Sequence, residues 1–201
     1  MKPLTLQETL QLLKATTCYL DLFTTGFLVL TGLRISEFLN LTSASLYEPN
    51  RLVFERKGGK QQGLDLQLVP LHLFSLWFAI SSHEGKLWPQ RTNINYRLRV
   101  LQQAAGITKE VSPHALRHTC GTFLLREGEH PIKVQQVLGH SNLATTGRYM
   151  AYLPEDYTRR PEPRMSVIGE VVLTQLEQVS ICCPGKSCTE EFLLVKEGVL
   201  S

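Results

Sequence analysis

Four short segments of this 201-residue chain concentrate basic and proton-transferring side chains. GLRISE carries Arg34 at a helix start, just after a glycine turn. RKGGK carries Lys57 and Lys60 on an expected hairpin, and SPHALRHT places His114 and Arg117 three apart, on one helix face. LGHSNLATTGRY sets His140 at a helix junction, with Tyr149 about two turns further on. Two arginines and a lysine suit a site that handles a phosphate with developing negative charge, because a guanidinium fork contacts two non-bridging oxygens at once and a lysine adds a point charge or a proton. Two histidines exchange or position protons near neutral pH. A tyrosine hydroxyl is a weak nucleophile until cations stabilise its anion. RKGGKQQG has no Ser or Thr after its second lysine, so it lacks the pattern of a nucleotide-binding loop. Cys182, Cys183 and Cys188 in CCPGKSC would make half a zinc site, but no second cysteine or histidine cluster lies near them in sequence. No metal is expected.

The elements that must position these residues are mostly helices, with a small sheet between them. Thr5 and Glu8 have capping-box spacing, and Leu6, Leu10 and Leu13 mark one face of a first helix. A second, too apolar for the surface, runs from about Tyr19 to Thr31 and is broken by Gly32; Ile35 to Leu41 reads as a third. LVFE and LDLQLVP have strand character around the Gly58-Gly59 turn signal, and Pro70 is expected to close the second strand. LHLFSLWFAI reads as helix, SSHEGKLWPQ as loop, and Thr92 to Ala105 as a helix ended by Gly106. Ser112 and Pro113 start a helix that Gly128 stops, and Pro131 to Leu138 forms another, ended by Gly139. A last short helix from Ser141 or Asn142 carries Tyr149. The fold class is therefore α+β, mainly helical, with a small antiparallel sheet.

Composition narrows the setting. A hydrophobic fraction of 43% supports a real core and excludes a disordered chain. Five cysteines, an odd number with no signal-peptide core ahead of them, point to a reducing cytoplasmic interior rather than to disulfide stapling. The net charge of +3 is unevenly spread: residues 51–160 carry +7, against −1 before and −3 after. A basic centre fits a polyanion-binding face. Composition shifts after Tyr157, where TRRPEPRM precedes VIGEVVLTQLEQVSI, so the main domain is expected to span 1–160, with 161–201 as linker and tail. The spacing of Val167, Val171 and Leu176 predicts an apolar element there that docks on a neighbouring protomer or folds back on its own.

The four boxes, in this order, resemble those of the tyrosine recombinase or phage integrase family over about residues 5–152. TGLRISEFLNL looks like the first arginine box, with Arg34 as phosphate-binding arginine and Glu37 as its acidic support. ERKGGK resembles the catalytic lysine turn and places that lysine at Lys57 rather than Lys60. HALRHTCGTFLLREG matches the box of His114 and the second arginine, Arg117, with His118 beside it. LGHSNLATTGRY resembles the closing box, with His140 and the nucleophile Tyr149. The resemblance implies the recombinase catalytic-domain fold, attack of the tyrosine on DNA to give a 3′-phosphotyrosyl link, protonation of the leaving 5′-oxygen by the lysine, and no cofactor. It further implies double-stranded DNA as partner and a homo-oligomer, a tetramer on paired sites. Lys60 and Arg148 are the expected DNA-contacting residues. The longest apolar run, LFTTGFLVLTGL, is short of membrane-spanning length, so no membrane association is expected. The same fold with a DNA-binding accessory or regulatory role is the alternative. A relaxing topoisomerase shares the chemistry, but no large DNA-encircling region is present. Family members usually carry an N-terminal DNA-clamping domain, whereas this sequence starts almost at the catalytic part. It also reads YMAYL after the nucleophile, where the family usually has an aromatic-histidine ending.

Overall fold

The computed structural model describes residues 2–47, 50–56, 59–81, 91–139 and 164–179. Helix α1 (Leu6–Lys14) begins at the Thr5–Glu8 capping box: Thr5 Oγ1 accepts from Glu8 N at 3.2 Å, and Glu8 Oε2 accepts from Thr5 N at 2.7 Å. Helix α2 (Tyr19–Thr31) is the centre of the core, with Phe23, Phe27, Leu28 and Val29 fully buried. The Phe27 ring lies 5.2, 5.8 and 5.9 Å from those of Phe23, Phe38 and Phe74, so α2 is joined by aromatic contacts to α3 (Ile35–Leu39) and α4 (Leu68–Ser81). Gly32 ends α2 in the left-handed conformation at φ 65°, which lets the chain turn sharply into Arg34 and α3. The third helix stops two residues before the expected Leu41, at an Asn40 cap.

Three antiparallel strands follow, β1 (Leu46–Tyr47), β2 (Arg51–Arg56) and β3 (Lys60–Asp65), in the order β1-β2-β3. Leu52 and Phe54 alternate onto the buried face. The last strand departs from expectation. It pairs from Arg56↔Lys60 to Arg51↔Asp65 and ends there, short of the expected close at Pro70. Strand β2 begins at Arg51, and beyond that pair Leu66 N donates to Asn50 O at 2.9 Å before the chain turns into α4. Pro70 instead lies in the first turn of α4, where its missing N–H costs no helical hydrogen bond.

Helix α5 (Arg91–Ala104) leads through Gly106, at φ 66°, to α6 (Pro113–Arg126). Ser112 caps α6, accepting from Ala115 N at 3.3 Å, and Gly128 follows its end at φ 87°. Helix α7 (Pro131–Leu138) ends at Gly139, φ 61°. Helix α4 takes in Ser81, the first residue of the loop expected over 81–90; residues 82–90 and the short helix carrying Tyr149 lie outside the described residues.

The apolar segment after the charged linker forms α8 (Arg164–Gln178), which folds onto its own chain. Its buried stripe is Met165, Ile168, Val172 and Leu176; of the expected positions, Val167 and Val171 are only partly buried. The stripe follows helical spacing one residue out of phase with that expectation, because the larger Met165 and Ile168 claim the inner face. Gly26 on α2 lets Val172 approach closely, since a Cβ there would sit 3.1 Å from Val172 Cγ2. Gln175 Nε2 donates to Thr16 O at 2.8 Å. Helix α8 thus shares the one hydrophobic core with residues assigned to the main domain. Among the described residues, no helix is long and apolar enough to cross a membrane.

Candidate active site

The site is assembled from element ends. The turn at Gly32 delivers Arg34 to the cap position of α3, and one helical turn later Glu37 reaches back: its Oε2 accepts from Arg34 N at 2.8 Å and its Oε1 from Arg34 Nη1 at 2.7 Å. Glu37 is only 3% exposed. A buried carboxylate needs cationic or hydrogen-bonded partners, and here three guanidiniums surround it. Arg117 Nη1, from the second turn of α6, lies 4.0 Å from Oε2, and Arg56 Nε, from the end of β2, lies 3.7 Å from Oε1. One negative charge among three positive ones leaves the cluster cationic.

The same arginines close the end of α7. A helix C-terminus leaves its last carbonyls without intrahelical donors, and the macrodipole makes that end negative. Four consecutive carbonyls here accept from side chains. Gln62 Nε2 donates to Gln136 O at 2.8 Å, Arg56 Nη2 to Val137 O at 3.1 Å, Arg117 Nη2 to Leu138 O, and Arg34 Nη2 to Gly139 O at 3.1 Å. Arg117 Nη1 also donates to Gly32 O at 2.6 Å, tying α6 to the turn that launches Arg34. Arg117 is 4% exposed and locked, whereas the Arg34 side chain is 40% exposed and faces an open groove of about 1180 Å³. Ser36, Glu37, Arg56, Lys60 and Gly139 also line that groove.

His114 lies one turn before Arg117 on α6 and pairs with His118, Nε2 to Nε2 at 2.9 Å, the rings set edge to face. Partial burial, together with the cations Arg117 and Arg34, pushes the His114 imidazole below its ordinary 6.5. It is therefore neutral near pH 7 and able to accept a proton. Cys120, on the buried side of the same helix, has its thiol pushed up to about 12 by burial and is core packing, not a nucleophile. Of the residues singled out from the sequence, Arg34, Glu37 and Arg117 meet directly. His114 feels the charges of both arginines, and Lys60 stands at the groove wall. Lys57, His140, Arg148 and Tyr149 lie outside the described residues. Among those described, no group of three or more His, Cys, Asp or Glu could hold a metal ion.

The phage integrase family model matches residues 2–155. The chain belongs to the phage integrase family. Curated relatives include the tyrosine recombinase XerC of Staphylococcus aureus, 32% identical, with 59% of this chain aligned to 44% of that protein. The chain thus spans less than half the length of that relative. Among solved structures, the XerA recombinase superposes with a TM-score of 0.67 at 25% identity, over 79% of this chain and 63% of that one. The catalytic domain of bacteriophage HP1 integrase gives 0.60 at 22% identity, over 77% and 89%. The fold is the integrase catalytic-domain fold, mostly helical with a small three-stranded antiparallel sheet.

Arg56 is the member of this integrase cluster that the sequence reading missed. The available signal was its place in β2: it continues the inward alternation of Leu52 and Phe54, and its guanidinium lies 5.5 Å from the Phe54 ring centroid. A basic residue on the buried face of a strand demands a partner, and Glu37 is that partner.

Proposed function

We propose that this chain is the catalytic part of a site-specific recombinase that cuts and rejoins double-stranded DNA through a covalent bond to Tyr149. One observation carries the reading: Arg34 and Arg117, far apart in sequence, converge on the buried Glu37 beside a cationic groove. In the proposed reaction the Tyr149 oxygen bonds to phosphorus as the bond from phosphorus to the 5′-oxygen breaks. The leaving oxygen takes a proton from Lys57, and the phenol proton passes to one of the two histidines, His114 or His140, of which His114 is held neutral. Arg34, which faces the groove, donates to the non-bridging oxygens as charge builds on them, an effect of about 3–4 kcal/mol for a single such donor, and the buried Arg117 adds its positive charge from behind. The phosphotyrosyl link conserves the phosphodiester energy, so the reverse attack by a 5′-hydroxyl rejoins the strand. Lys60 and Arg148 contact the DNA backbone, which positions the duplex without reading sequence. The assembly is a tetramer on two paired sites, and the protein works in the cytoplasm.

Covalent trapping tests the reading. A nicked duplex carrying the recognition site, incubated with the protein and separated under denaturing conditions, should yield an adduct that peptide mapping places on Tyr149. Tyr149→Phe should abolish it and leave DNA binding nearly intact. Arg34→Ala and Arg117→Ala should slow its formation by orders of magnitude, while a chelator leaves it unchanged. An adduct on Tyr152 or Tyr157 would reassign the nucleophile. Site-specific binding without any adduct would instead support an accessory DNA-binding role.

A further inference from the structure

We propose that Arg56 is a positioning residue that fixes the end of strand β2 against the end of helix α7, and through that junction aligns Lys57 for proton donation. The proposal rests on the recombinase reading above. Its basis is a single side chain held from several sides. The Arg56 side chain is 10% exposed. Its Nη2 donates to Val137 O at 3.1 Å, and its plane caps the Phe54 ring. Its Nε lies 3.7 Å from Glu37 Oε1, with no hydrogen-bond partner of its own among the described residues. Burial pushes the guanidinium below its usual range, and the Glu37 carboxylate draws it back up.

Gly139 shows how tightly this junction is built. A Cβ on that residue would overlap Arg56 Nη1 and Cζ, so the guanidinium occupies the space that any side chain at 139 would need. The left-handed φ of 61° favours glycine there as well. Arg56 and Gly139 are therefore fitted to one another. In the sequence, Lys57 directly follows Arg56, and His140 directly follows Gly139. The arginine thus holds together the two backbone points from which the proposed proton donor and a proposed histidine depart. Arg34 and Arg117 also bind Glu37 and the α7 carbonyls, but both come from helical segments; Arg56 is the only one of the three that reaches the cluster from the sheet.

A substrate with sulfur in place of the bridging 5′-oxygen separates this role from a general loss of structure. A thiolate leaves without being protonated, so cleavage of that substrate does not need Lys57. Arg56→Gln and Arg56→Lys should be compared with the unchanged chain in single-turnover cleavage of nicked duplexes carrying either atom, with DNA affinity and the thermal midpoint measured alongside. Misplacing a donor by about 1 Å costs on the order of 10²-fold. Arg56→Gln should therefore slow cleavage of the oxygen substrate by roughly 10²-fold and that of the sulfur substrate by only a few fold. Arg56→Lys should show the same contrast, smaller, and carries the test if the glutamine variant does not fold. Equal slowing on both substrates, or no slowing on either, would overturn the proposal. Failure of the unchanged chain to form an adduct on either substrate would overturn the recombinase reading itself, and the role of Arg56 with it.

Discussion

Three guanidiniums lie within 4.0 Å of Glu37, and that single carboxylate decides the geometry of the site. Removing one partner from a buried charge cluster is strongly destabilising, so these four residues hold each other in place. The histidine pair obeys the same electrostatics. With Nε2 facing Nε2 at 2.9 Å, one proton serves the contact and a second would place like charges against each other. The His114 pKa is depressed below 6.5 on folding, so the unfolded chain binds this proton more readily. Its contribution to stability is therefore present above about pH 6.5 and is lost as the pH falls through the folded value. Following the His114 ring resonances by NMR should give a midpoint below 6.5, with the unfolding temperature declining over the same interval; a midpoint at or above 6.5 would show that the neighbouring cations do not act on the ring. Arg34, Glu37, His114 and Arg117 were legible in the sequence because their spacing matches a known pattern. Arg56 was not, because a lone arginine before a glycine turn reads as solvated until the strand's inward register is known.

At the scale of elements, the site is a set of terminations. Gly32 ends α2, Gly139 ends α7, Arg34 opens α3, and Arg56 closes β2. Gly32 shows why such points resist substitution. Its φ is 65°, and an added Cβ would lie 2.6 Å from Leu138 Cδ2 and 2.9 Å from Cys120 Sγ. Gly32→Ala should cost about 1 kcal/mol for the left-handed backbone and a further ~1–3 kcal/mol for crowding in a packed core. Gly59→Ala, with φ 76° and no described atom within 4 Å of its Cβ, should incur only the backbone part. Denaturant midpoints of the two variants check this: Gly32→Ala should be clearly the less stable, and equal losses would mean that the packing around Leu138 relaxes freely. Helix starts and stops were readable because Thr5, Ser112, Pro131 and Gly139 act through their own backbone chemistry. Strand β3 was misread because Leu64, Leu66 and Leu68 keep a two-residue alternation past Asp65, where the partner strand has already ended. Pairing length is a property of two strands, and one strand's sequence does not contain it.

At the scale of the molecule, the sequence left open whether the apolar stretch after the charged linker covers its own chain or a neighbour's, since either burial satisfies the same helical stripe. In the structure the stripe lies in the core between α1, α2, α4 and α6, with Met165, Ile168, Val172, Leu176 and Val179 all buried. Burying an aliphatic side chain of this size is worth about 1.5–3 kcal/mol, so five of them together match the ~5–15 kcal/mol by which a whole domain is stable. Their loss would also bare the Gly26 side of α2, where Val172 packs, to water. A chain cut at residue 160, just after the family's matched segment, should therefore lose its cooperative thermal transition and aggregate, while one cut after Val179 keeps the transition and stays dispersed. Circular dichroism melting and sedimentation of the two truncations read the difference. If the shorter chain melted cooperatively at the temperature of the longer one, α8 would be a passenger, free to leave this core for a neighbouring protomer. If it fails to fold, the helix is a structural part of this core and is not the segment that docks on a neighbouring protomer.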